Sequence, residues 1–182
     1  NAPNDNAKPI YAFPSVIEVL KNNYFTWKSW ANFASEGEKP ILNKYTYQSL
    51  NPQKEVEVTG TGLFVTAFPL SHVAPYESTA FLVRNQSEYI VYLGDTGPDE
   101  VEKSSQLKNL WNHLAPLIQN NQLKAIFIEV SFSNKVADGS LYGHLTPHWL
   151  MKEMEILHQL AGDHLKDVAI MITHMKPCEN CE

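Results

Sequence analysis

The sequence is poor in cysteine, in positive charge and in long apolar runs, and each shortage removes a class of function. Among 182 residues there are two cysteines, Cys178 and Cys181. Two thiols at one end cannot staple a small fold. A Cys-x-x-Cys with no second half-site and no βαβ frame reads as a pair of tail thiols, not as a zinc or redox centre. No apolar stretch approaches the ~20 residues that a membrane-spanning helix requires, and no leader peptide is legible, so no membrane partner is expected. Lysine and arginine number 14 against 20 aspartates and glutamates, a net charge of −6. Proteins that track a phosphate backbone need the opposite balance, so no nucleic-acid polymer is expected as partner. A small phosphorylated ligand stays open, because a bound metal can supply positive charge locally.

What is present is the composition of one folded domain, 43% hydrophobic and 11% aromatic, in a length that suits a single core. Residues 1–9 are polar and punctuated by proline, and read as a linker or expression remnant. Residues 10–177 read as the domain and 178–182 as a tail. Val16, Ile17, Val19 and Leu20 follow Pro14 at helical spacing, which predicts a helix. Residues 44–59 read as extended, 62–70 as a strand, and 78–85 with 88–94 as a hairpin. Pro98 and the acidic residues after it predict one helix over 98–118, followed by a strand at 123–132. Thr146-Pro147, a hydroxyl cap before a first-turn proline, opens a helix that Gly162 ends. Leu150, Met154, Leu157 and Ala161 share one face of it, a core stripe. A last strand covers 167–174. Strands first, then helix alternating with strand, predict an α/β sandwich-like fold.

The strand ends hold the chemistry. "FVTAFPL" delivers His72, "YIVYLG" delivers Asp95, "AIFIE" delivers Glu129 and "VAIMIT" delivers His174. His144 sits in "YGHLTP", beside a glycine and just before a helix. Ligand sites of α/β sheets form outside the carboxyl ends of strands, so five such residues there predict a metal or acid–base site. Asp95 alone, between Gly94 and Gly97, would read as a turn cap. Glu129 after four apolar residues would not, since a carboxylate entering a core must be paired or placed on a metal. His113, His148, His158 and His164 lie in or beside helices and read as surface or packing residues.

The ordered set "FPLSH…STAFL", "YLGDTG", "IFIEVSF", "YGHLTP" and "ITHMKP" resembles the class II 3′,5′-cyclic-nucleotide phosphodiesterases of the metallo-β-lactamase superfamily, over residues 10–177. "VIEVLKNNYFTWKSWANF" resembles the segment that precedes those motifs in that family. The resemblance implies a metallo-β-lactamase-like αβ/βα sandwich of which this chain is the C-terminal portion. It implies a dizinc site with His72 on one ion, Asp95 bridging both and His174 on the second. Glu129 and His144 would form the carboxylate–histidine couple beside the metals, with His144 as the acid that protonates the departing 3′-oxygen. Thr146 and Ser78 would cap or brace backbone. The substrate implied is a small cyclic nucleotide, cyclic AMP or cyclic GMP, hydrolysed to a nucleoside 5′-monophosphate.

The chain departs from that family in one respect. Its His-x-His-x-Asp-His string, which carries the remaining zinc ligands, occurs nowhere here. The expectation is that those ligands lie upstream, that this length of chain is inactive alone, and that a half-sandwich is either marginally stable or self-associates as a homo-oligomer. Two other readings stand beside it: the superfamily endonuclease that trims transfer-RNA 3′ ends, which the chain resembles in its Asp, Glu-His and His motifs, and a non-catalytic interaction module. The residues do not choose between a bacterial periplasm and a cytoplasm.

Overall fold

Period-two alternation of small and branched apolar residues builds the sheet, and two amphipathic helices cover it. A computed structural model describes residues 5–176. Strand β1 (Lys8–Ala12) is followed by helix α1 (Pro14–Val19), a π-helical turn (Leu20–Tyr24) and β2 (Tyr45–Ser49). Next come β3 (Val56–Val58), β4 (Leu63–Ser71), β5 (Glu77–Asn85) and β6 (Glu88–Leu93). Helices α2 (Asp99–Glu102) and α3 (Gln106–Gln119) lead to β7 (Leu123–Glu129), and α4 (Pro147–Ala161) leads to β8 (Ala169–Thr173). The tail thiols Cys178 and Cys181 lie outside the described residues.

β1 and β2 pair in parallel as a small two-stranded sheet, and the remaining strands form a six-stranded sheet in the order β3-β4-β5-β6-β7-β8. β3 to β6 are antiparallel neighbours, while β6, β7 and β8 run parallel. β4, β6, β7 and β8 therefore point the same way, and their carboxyl ends share one edge. The helices lie on one face, where Phe68, Leu82, Val91 and Ile128 meet Leu110, Trp111, Leu114 and Leu157 in a common core. On the other face of β4, Val65 and Ala67 pack beneath Phe13 and Leu50. Farther along that face the in-register row Phe81, Tyr92, Phe127 and Met171 is less covered, with Tyr92 half exposed.

Four expectations need correction. The linker expected over 1–9 ends earlier, because Lys8 and Pro9 already pair with Tyr45 and Thr46. The helix expected over 98–118 is two helices. Lys103 adopts a left-handed backbone, and the Asp99 carboxylate accepts from the N–H groups of Leu107 at 3.2 Å and Lys108 at 2.9 Å. Asp99 thus caps the start of α3 instead of continuing one long helix. On α4 the most buried row is Trp149, Glu153, Leu157 and Ala161, with Leu150 and Met154 at its margin. That row contains a carboxylate, Glu153, whose Oε2 accepts from Trp111 Nε1 at 2.8 Å. The fourth is Ser78, expected as a backbone brace: its Oγ is buried beside Gly94 with no hydrogen-bond partner among the described residues. The β4–β5 ladder already satisfies the backbone around it.

Candidate active site

The shared edge brings the strand-end residues together. His72 follows β4, Asp95 follows β6, Glu129 ends β7 and His174 follows β8. His144 arrives from the loop before α4, which Thr146 fixes by accepting from Trp149 N–H at 3.3 Å. The His144 and His72 ring centroids are 5.0 Å apart, and those of His144 and His174 are 5.4 Å apart. All five residues expected at the site therefore meet there.

Two carboxylate–imidazole couples organise it. Glu129 Oε1 lies 2.8 Å from His144 Nδ1, with both residues buried. Ser131 holds the other oxygen: its N–H donates to Oε2 at 2.8 Å, and its hydroxyl lies at the same distance from Oε2. Thr96 N–H donates to Oε1 at 3.3 Å. A buried carboxylate held this way is a fixed acceptor, and it sets the His144 tautomer with the proton on Nδ1. The second couple, His174 Nδ1 to Asp95 Oδ1, has the same 2.8 Å separation but stands partly in solvent. His174 has a positive φ of 54°.

His72 is oriented from two sides. Its Nδ1 lies 2.9 Å from the Gly143 carbonyl oxygen, so an N–H there leaves Nε2 free toward the site. Gly143, at φ +75°, is a position that favours glycine, and a Cβ there would sit 2.6 Å from His72 Nδ1. Glu102 Oε2 accepts from Ser71 Oγ at 3.0 Å and from Val73 N–H at 2.9 Å, clamping the chain on either side of His72.

Donor atoms of His72, Asp95 and His144 lie within 4.8 Å of one another, a separation that suits one cation. Two imidazoles and a carboxylate are nitrogen and oxygen donors that zinc accepts. This trio has His144 where the sequence led us to expect His174, which reaches the group through Asp95.

The profile of the class-II cAMP phosphodiesterases matches residues 1–180. The chain belongs to this family. Over 178 residues it is 44% identical to a 3′,5′-cyclic-nucleotide phosphodiesterase of Aliivibrio fischeri, covering 97% of this chain and 54% of that protein. Unliganded yeast PDE1 aligns with a TM-score of 0.86 at 27% identity, over 98% of this chain and 51% of that one. A metallo-β-lactamase fold protein of Bacillus subtilis aligns at 0.56 with 18% identity, over 96% and 55% of the two chains. The sheet and its helix layer thus have the metallo-β-lactamase-like fold that the motifs implied. This phosphodiesterase-family chain spans about half the length of the curated relatives it matches.

Sequence reasoning missed the residues that support the site. Thr96 and Ser131 lie inside the motifs "GDTG" and "EVSF", yet nothing in those strings says which oxygen each contacts. Glu102 carried no signal, since an acidic residue near a helix start reads first as a response to the helix dipole.

Proposed function

We propose that this chain serves the hydrolysis of 3′,5′-cyclic nucleotides to nucleoside 5′-monophosphates. The buried Glu129–His144 couple, set among His72, Asp95 and His174, is the observation that carries the reading. Glu129 takes the Nδ1–H of His144, so the proton released to the departing 3′-oxygen is the one on Nε2. The carboxylate balances the charge of the imidazole while it carries both protons. His72, through Nε2, Asp95 and His174 are the residues assigned to hold two zinc ions. Bound zinc would neutralise the phosphoryl oxygens and favour attack by water.

The net charge of −6 favours a small cyclic phosphodiester over a transfer RNA, whose backbone asks for a basic surface. The test offers cyclic AMP, cyclic GMP and a precursor transfer RNA, each with zinc, to this chain and to a protein of the relatives' length carrying it. Release of 5′-AMP or 5′-GMP by the longer protein is the expected outcome, with the 182 residues alone inactive. Cleavage of the RNA with both cyclic nucleotides intact would replace this reading by the endonuclease one. Inactivity of both proteins on every substrate would leave the non-catalytic module.

A further inference from the structure

Ser131 is the point where the two couples meet. Its side chain is buried, and its oxygen reaches three groups: Glu129 Oε2 at 2.8 Å, His144 Nδ1 at 3.2 Å and the His174 carbonyl oxygen at 3.1 Å. Its own carbonyl accepts from Lys176 N–H at 3.3 Å. Ser131 therefore holds the backbone of residues 174–176 at both of these contacts while also holding the carboxylate that orients His144.

The hydroxyl has one proton and two lone pairs to distribute. Its proton can go to Glu129 Oε2 or to the His174 carbonyl, and either choice leaves a lone pair toward His144 Nδ1. The shorter contact of Nδ1 is with Glu129, so the serine oxygen is a second, weaker acceptor that limits ring rotation. The arrangement matters more for His174. A histidine at φ 54° is in a region few L-residues adopt, so contacts from elsewhere must hold it there. Ser131 supplies two of the hydrogen bonds at this turn, beside the one from Val130 N–H to the Thr173 carbonyl at 3.1 Å, and the conformation they hold aims the His174 ring at Asp95.

We propose that Ser131 is a positioning residue whose hydroxyl locks the Glu129–His144 couple and the His174 turn into one fixed spacing. Its relevance to catalysis rests on the reading of His144 as proton donor. The geometric claim does not.

The test compares Ser131→Ala with Ser131→Thr, which keeps the hydroxyl, in the metal-free 182-residue chain uniformly labelled with 15N. Imidazole resonances and Nδ1–H solvent exchange are read at one pH, with the Trp111 and backbone amide spectra as a control for folding. Losing one hydrogen bond should speed exchange of the His144 Nδ1–H about tenfold and shift the His174 imidazole signals. Ser131→Thr should restore both. Unchanged His144 and His174 signals in the alanine variant would overturn the proposal, as would a change at only one of the two rings. A threonine variant as perturbed as alanine would assign the effect to packing and overturn it too. If the alanine variant does not fold, the threonine variant decides alone: wild-type imidazole signals support the hydroxyl, and altered ones reject it. The measurement needs neither zinc nor substrate, so absence of cyclic-nucleotide hydrolysis, which would sink the functional reading, leaves this result standing.

Discussion

The two carboxylate–histidine couples share a 2.8 Å Nδ1 to oxygen separation and differ in almost everything else. Side chains of the Glu129–His144 couple are 1% and 9% exposed, whereas those of Asp95 and His174 are 33% and 44% exposed. Distance alone would call them equivalent. Burial separates them: a carboxylate–imidazole pair at the surface is worth about 0–1 kcal/mol and opens readily, while a buried carboxylate bonded through both oxygens is held in place. The exposed couple can thus part to accept a cation, and the buried one suits an acid whose proton must leave from a single nitrogen.

Breaking the buried couple should have the largest effect. Glu129→Ala strands the N–H groups of Thr96 and Ser131 and leaves His144 Nδ1 only the weaker acceptor Ser131 Oγ, costing about 2–4 kcal/mol in a denaturant titration. In a protein of the relatives' length it should also lower turnover about 10²–10⁴-fold. Asp95→Asn should invert that profile. Unfolding free energy should stay within about 0.5 kcal/mol of the parent, while zinc affinity, read by competition with a chelating dye, falls on the order of 100-fold. Equal stability losses in the two variants would remove the distinction between the couples.

The smallest effect sharpens the comparison with a third carboxylate. Glu153 is buried on α4, and desolvation raises its pKa above the ordinary 4.5, opposed in part by the hydrogen bond from Trp111 and helped by the negative charge of Glu100. Its protonated form contributes stability in full below the unfolded-state value, and that contribution is lost as pH rises through the folded-state value. Glu153→Gln keeps an acceptor for Trp111 and never ionises. Its melting temperature should exceed the parent's by about 3 °C at pH 8, with the gap closing toward pH 4. A gap that widens on acidification would reverse the sign assigned to Glu153.

The gathering of His72, Asp95, Glu129 and His174 was legible because each ends an apolar run, and strands that run the same way put such ends on one edge. The fold class followed from the same runs. What was not legible depends on side-chain direction. Asp99 reads equally well inside a helix or as the cap of the next one, and only the left-handed Lys103 decides. Glu153 sits one position before Met154 of the expected stripe, and the 100° step between them decides which of the two faces the core. Ser131 follows a buried glutamate by two residues, and its contacts with His144 and His174 join segments 13 and 43 positions away.

His144 is assigned the role of proton donor, and its place in the trio with His72 and Asp95 makes it a candidate cation ligand as well. Turnover and zinc content of His144→Ala, measured side by side in a protein of the relatives' length, separate the two roles. Loss of a proton donor should leave turnover reduced about 10²–10⁴-fold with zinc per chain unchanged. Zinc lost in proportion to turnover would make His144 a ligand and contradict that assignment.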